Sequence, residues 1–337
     1  MTLKICLRTF FLLILFCLVA CTSRNDALIV YVSVDQNYAE PVLKKFEQQT
    51  GIRVLAVYDL EASKTTGLVN RILAEKKNPQ AAVFWSGEFV QTIALKQAQQ
   101  LEPYLSPNAA EIPPQFKDPA GYWTGFAGRA RVFIVNTEIL EPHQYPGSLS
   151  DMLNGPVPTK EIGIALPLFG TTLTQAAALY TIWGAEKTDL FFKQIEESDI
   201  QILNGNSSVR DYVSQGKLSF GLTDTDDACS AIEKGKPVRM IIPDQDSLGT
   251  LVIPNTVALI KGGPNPELGK KFIDYLLHPT TLNDLIASGW CHVPLRKADE
   301  SPSCMETDTI LAFKVNLDSI YTNYVRHRKA LKQQFLK

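Results

Sequence analysis

The chain has 337 residues, 45% of them apolar and 20% charged, with a formal net charge of -2. That balance suits a packed globular protein, excludes a chain disordered throughout, and lacks the basic surplus that nucleic acid demands, so no nucleic-acid partner is expected. The length leaves room for two lobes of about 150 residues each.

In chain order, a basic head (Lys4, Arg8) precedes one apolar run from Phe10 to Ala20 that ends in Leu18-Val19-Ala20-Cys21. The run is too short to span a bilayer and has the pattern of a secretory leader, and small residues before a cysteine resemble a bacterial lipoprotein processing site. Residues 1–20 are therefore expected to leave as a signal peptide, with Cys21 lipidated and residues 21–27 a short tether. The protein is expected outside the cytoplasm, periplasmic or at the cell surface, anchored to a membrane by its lipid. Of the six cysteines, Cys229, Cys291 and Cys304 then remain in the mature domain, where Cys291 and Cys304 are a candidate disulfide with Cys229 left free. No Cys/His group has zinc-finger spacing.

Leu28 to Val34 is a continuous β-branched and apolar run, the pattern of a strand buried on both faces. A helix is predicted from about Tyr38 to Gln49, with Val42, Leu43 and Phe46 on one face and Gly51 beyond its end. A strand at Ile52–Tyr58, a helix at Thr65–Lys76 and a strand at Ala81–Trp85 continue the alternation that marks β-α-β units around a mostly parallel sheet. Phe126 to Val135 is then a long extended stretch able to run from one lobe into another. A second α/β set follows: strands at Ile162–Leu166, Ile200–Leu203 and Ser219–Thr223, with helices up to about Trp183, near Leu190, at Val209–Gln215 and at Asp226–Lys234. Gly249–Ile260 is a second long extended segment, Pro266–Leu277 a helix, and the tail from Asp308 one or two closing helices. The fold class expected is α/β, two lobes joined by two extended hinge crossovers, with lobe 1 formed by 28–128 plus 253–290 and lobe 2 by 129–252 plus 291–337.

In open α/β sheets ligands bind beyond the carboxyl ends of the strands. Residues just after the strands are therefore the site candidates: Ser33, Asp35 and Gln36; Trp85, Ser86 and Glu88; Glu61, Ser63 and Lys64; Gly170, Thr171 and Thr172; Asn206 and Ser207; and Asp224, Thr225, Asp226 and Asp227. Phe169-Gly170-Thr171-Thr172 opens a helix after a strand, where backbone N–H groups and the helix dipole favour an anion, although Thr171 is equally a helix cap. Asn206-Ser207 has the same position and the same two readings. Asp224, Asp226 and Asp227 offer carboxylates to an amine, to sugar hydroxyls or to a hard cation, while Asp226 and Asp227 also suit a helix N-terminus. Asp224, nearest the strand end, is the leading cleft carboxylate. Arg129 and Arg131 alternate along the first crossover on one face, where one of them can clamp an anion or both can be solvated. The histidines sit apart from any Ser or Cys in a triad-like pattern, so a hydrolase is unsupported.

Tyr31-Val32-Ser33-Val34-Asp35, Val83-Phe84-Trp85-Ser86-Gly87-Glu88, Gly128-Arg129-Ala130-Arg131-Val132 and Ile253-Pro254-Asn255-Thr256-Val257-Ala258-Leu259-Ile260 resemble the bacterial ABC-importer solute-binding proteins of family 1. Within that family the similarity is to the ferric-iron-binding branch, which also holds binders of phosphorylated sugars and other organophosphates. It runs from about Leu28 to Leu295. The resemblance implies a type II periplasmic binding protein, a monomer that captures a small ligand without turning it over and delivers it to an inner-membrane ABC permease. In the ferric branch two neighbouring tyrosines, a first-lobe carboxylate and often a histidine hold iron. Here Thr223-Asp224-Thr225-Asp226 stands where the tyrosine pair would fall, and Ser33 to Gln36 stands where the histidine would be. The departure favours an anionic or zwitterionic organic ligand, a phosphorylated sugar or a phosphonate, with ferric iron and a synergistic anion as the alternative cargo. For iron the candidate ligands would be Glu88, Asp224 and Asp226. No resident cofactor is expected. A secreted enzyme or a sensor domain on the same fold is the remote alternative.

Overall fold

The computed structural model describes residues 27–59, 66–305 and 309–336. The leader, Cys21, and Glu61, Ser63 and Lys64 lie outside the described residues. The predicted alternation is present. Strand β1 (Leu28–Ser33) lies between β2 (Val54–Tyr58) and β3 (Val83–Ser86), parallel to both. A strand paired on both edges and covered on both faces must be apolar throughout, which is what its sequence supplies. Its side chains alternate between two cores: Val30 and Val32 pack with Phe46, Trp85 and Phe272, whereas Tyr31 packs with Phe84, Phe89 and Ile93. Helix α1 (Gln36–Thr50) buries Ala39, Val42, Leu43 and Phe46 and ends at Gly51, whose left-handed backbone lets its N–H reach the Glu47 carbonyl. Helices α2 (Gly67–Ala74) and α3 (Phe89–Gln97) complete this layer.

The long strand β5 (Thr124–Asn136) belongs to two sheets. Its first half pairs antiparallel with β10 (Val252–Ile260), which continues to β3 and also pairs with the short strand β4 (Leu101–Glu102). From Arg131 onward it pairs instead with β8 (Phe220–Asp224) and β9 (Val238–Ile241). β6 (Ile162–Ala165) and β7 (Gln201–Leu203) then extend the second sheet in parallel. Around that sheet Phe133, Ile164, Phe192 and Phe220 form a separate core. Where the sheets meet, the Arg131 N–H donates to the Leu251 carbonyl and the Thr250 hydroxyl donates to the Arg131 carbonyl, so both crossovers run side by side.

The second layer carries α4 (Asp151–Asn154), α5 (Gly170–Ile182), α6 (Ala185–Glu197), α7 (Asn206–Ser214) and α8 (Thr225–Glu233). Helices α9 (Pro266–Leu276) and α10 (Pro279–Ala287) follow β10. The tail is one helix, α11 (Leu317–Phe335), lying against α5 and α3 and so touching both layers. The short strand β11 (Val293–Pro294) pairs with Gly128 and Ala127 of the first sheet. The chain after residue 290 therefore returns to the first sheet before it reaches the second.

One expectation is corrected. The disulfide joins Cys229 to Cys304, across a sequence separation of 75, and Cys291 is a buried free thiol. Cys291 follows α10 directly and is enclosed by the first core, whereas Cys304 lies near α8, as the contact from Ser303 to Glu233 shows. Proximity in sequence favoured the wrong partner.

Candidate functional site

The carboxyl ends of β1, β3, β6 and β8 face a cleft of about 400 Å³ between the sheets, a volume suited to a small solute. Ser33 and Asp35, following β1, line it together with Tyr38 of α1. Ser33 is 7% exposed and its hydroxyl has no partner among the described residues. Gly87 and Glu88 follow β3, and Glu88 stands at the N-cap position of α3 without a side-chain capping bond. Burial pushes the Glu88 carboxyl up to about 6, against the pull of the Arg129 charge. Across the cleft the Thr174 hydroxyl donates to Glu88 Oε2 at 3.4 Å.

From the second sheet, Gly170 and Thr171 open α5 toward the cleft. Gly170 has φ +57° with nothing within 4 Å of a would-be Cβ, so the turn selects glycine for its backbone freedom and leaves the helix N-terminus open. Asp226 and Asp227 occupy the first turn of α8. Arg129 Nη1 donates to Asp226 Oδ2 at 3.1 Å, and Arg210 Nη1 donates to Asp227 Oδ1 at 3.2 Å. Asp226 Oδ1 is buried without a partner among the described residues. Burial, with Asp226 and Asp224 nearby, pushes Asp227 up to about 7, opposed by Arg210 and Arg129.

The two arginines of the crossover have separate roles. Arg129 lines the cleft. Arg131 is 0% exposed and its guanidinium is spent inside the second layer, donating to Asp224 Oδ1 at 2.6 Å, to Gln175 Oε1 at 2.8 Å, and to Thr171 Oγ1 and Asn206 Oδ1 at 3.1 Å each. Thr171 and Asn206 in turn donate to Asp224 Oδ2 at 2.6 and 2.9 Å.

Of the residues singled out in the sequence, the cleft brings together Ser33, Asp35, Glu88, Arg129, Gly170, Thr171 and Asp226, with Asp227 beside them. Asp224 is buried beside these residues, directly opposite Arg131 in the antiparallel register, and neutralises it. Thr172 and Asn206 belong to the same buried network, and Thr225 accepts the Ala130 N–H at 3.2 Å, tying α8 to β5. Ser207 points to solvent. Sequence reasoning missed Tyr38, Arg210, Asn255, Trp290 and His292, all of which line the cleft. Asn255 is the one with a local signal, a polar side chain inside the apolar β10 run; it donates to the Gly87 carbonyl at 2.7 Å and fixes the turn before Glu88. Trp290 stacks on Phe126, ring centroids 6.0 Å apart. Burial lowers the His292 pKa.

Two α/β layers sharing a crossover strand, with a polar cleft between them, define a protein that encloses a small solute. The chain belongs to the bacterial extracellular solute-binding protein family, whose model matches residues 32–281. It is 25% identical over 301 residues to "Iron uptake protein A1" of Synechocystis sp., covering 85% of this chain and 82% of that protein. It is 22% identical over 302 residues to a "Putative 2-aminoethylphosphonate-binding periplasmic protein" of Salmonella typhi, covering 87% and 86%. Among solved structures, the periplasmic binding protein AfuA from Actinobacillus pleuropneumoniae with fructose-6-phosphate bound superposes with a TM-score of 0.75 at 24% identity, covering 92% of this chain and 98% of that one. The expected type II periplasmic binding fold is the fold of the chain. Among the described residues no helix is long and apolar enough to cross a membrane.

Proposed function

We propose that this protein captures a small zwitterion, a phosphonate or phosphate ester carrying an amine, and presents it to an ABC permease from the periplasmic side of the membrane, without chemical turnover. The observation that carries the reading is the charge pattern of one cleft: guanidiniums from Arg129 and Arg210 alternate with carboxylates from Asp35, Glu88, Asp226 and Asp227. A phosphoryl group is served by Arg129, the unpartnered Ser33 hydroxyl and the open N-terminus of α5. An ammonium is served by Asp226 and Asp227. The four carboxylates outnumber the two guanidiniums and would repel a simple dianion, so an amine on the guest favours binding. The phosphonate-binding name of the Salmonella typhi relative supports the same class.

Ferric iron is the second reading. It is supported by the name of the Synechocystis relative and by carboxylate oxygens of Asp224, Asp226 and Asp227 lying within 4.8 Å of one another. Against it, Asp224 is already held by Arg131, and Tyr38 is the one tyrosine among the described cleft residues. Lipid attachment at Cys21 and a monomeric state complete the proposal; intact-mass and sedimentation measurements check them.

The deciding experiment is a thermal-shift panel of aminophosphonates, sugar phosphates and ferric citrate on purified protein. A ligand at 100 times its dissociation constant stabilises by about 2.7 kcal/mol. Stabilisation by an aminophosphonate, weakened in Arg129→Gln, is expected. A shift from ferric citrate with none from any phosphonate or phosphate ester overturns the proposal in favour of iron.

A further inference from the structure

The Cys229–Cys304 disulfide lies beside the cleft, and its surroundings give it a second chemical identity. Cys229 sits on α8, three residues from Asp226, while Cys304 belongs to the segment that leaves β11 for the second layer. His292 is one residue before β11 and lines the cleft. Cys229 is 0%, and Cys304 and His292 each 7%, exposed. The sulfurs and a ring nitrogen of His292 all lie within 4.8 Å of one another. The His292 ring lies among the charges of Asp226, Glu233 and Arg129.

We infer that reduction of this disulfide creates a binding site for a thiophilic divalent cation of the zinc type, held by Cys229, Cys304 and His292 at the wall of the solute cleft. The donor set, two thiolates and an imidazole, is one that zinc favours, with a metal–sulfur distance of about 2.3 Å and tetrahedral geometry. Those values place the two sulfurs about 3.8 Å apart, so once the bond is reduced they must separate by about 1.8 Å from the roughly 2.0 Å of a disulfide. The chemistry balances. A dithiol reductant supplies two electrons and two protons, breaking the sulfur–sulfur bond to give two thiols while forming its own disulfide. The cation then displaces both thiol protons to solvent, and the neutral imidazole donates a lone pair with no proton lost. Three protein ligands leave a fourth position for water or a solute oxygen. The inference is independent of which solute the cleft carries.

Cobalt(II) titration of the full chain, reduced with a phosphine under argon, tests it. The expected result is one cobalt bound only after reduction, with a thiolate-to-cobalt charge-transfer band that zinc abolishes. The Cys291→Ala variant should retain this signal, and His292→Gln, which leaves the disulfide intact, should bind at least tenfold more weakly. Thermal melts of the reduced chain with and without zinc serve as the second readout: restored stability or refolding with zinc supports the site. A reduced chain that gives no thiolate band, that binds as tightly with Gln at position 292, or that remains unfolded when zinc is added overturns the inference.

Discussion

Asp224→Asn separates the two roles that this carboxylate can have. Its partner Arg131 is 0% exposed at the side chain, Asp224 is 3% exposed, and their atoms are 2.6 Å apart. Removing the charge from one member of such a pair leaves a guanidinium buried without its counter-ion, a loss of about 3–5 kcal/mol. The new amide also brings hydrogens toward Thr171 and Asn206, both of which now donate to Asp224 Oδ2. With a thermal midpoint that moves by about 2–4 °C per kcal/mol in domains of comparable size, the variant should melt on the order of 10 °C below the parent. The double variant Arg131→Met, Asp224→Leu removes both charges and should recover much of the loss, since replacing a buried pair by apolar groups is often neutral. Differential scanning calorimetry without solute gives both numbers. An Asp224→Asn protein that melts with the parent but no longer binds solute would refute the reasoning and return Asp224 to the cleft.

Glu88 makes a pH prediction with a definite sign. Its folded carboxyl titrates at about 6 against an ordinary 4.5, so the folded state holds the proton more tightly and the burial penalty is fully present above pH 6 and relieved below 4.5. The penalty is about 2 kcal/mol. Glu88→Gln should therefore stabilise the solute-free protein at neutral pH and flatten its melting profile between pH 4.5 and 6; an unchanged slope in that window would contradict the assignment. For the cysteines, burial pushes the Cys291 thiol up to about 12. Of Cys229, Cys291 and Cys304, only Cys291 should alkylate without reductant, and only after unfolding, with peptide mapping as the check. Cys304→Ser should cost about 4.5 kcal/mol on the chain-entropy account of a loop spanning a separation of 75.

The elements were legible wherever local pattern decides them. The Leu28–Ser33 strand, the apolar face of α1 and the long β5 strand all follow from hydrophobic spacing within one segment. Short pieces such as β11, two residues long, have no pattern to read. The cleft was legible as a set of strand ends but not as a set of charges. Asp224 and Arg131 are 93 residues apart, and only the antiparallel register of β5 and β8 sets them face to face. The same gap in information explains His292 and Arg210, which reach the cleft from a loop and from the second turn of a helix through tertiary packing alone. The disulfide was misassigned for a kindred reason, because sequence distance says nothing about which segment lies on α8.

A single uninterrupted strand common to both sheets has a mechanical meaning. Any rotation of one layer against the other must be taken up as torsion of β5 near Gly128–Arg131, where hydrogen bonding passes from β10 to β8. Arg129 stands on that fulcrum with its guanidinium in the cleft, so the same twist that swings the layers also re-aims the cation that meets the guest.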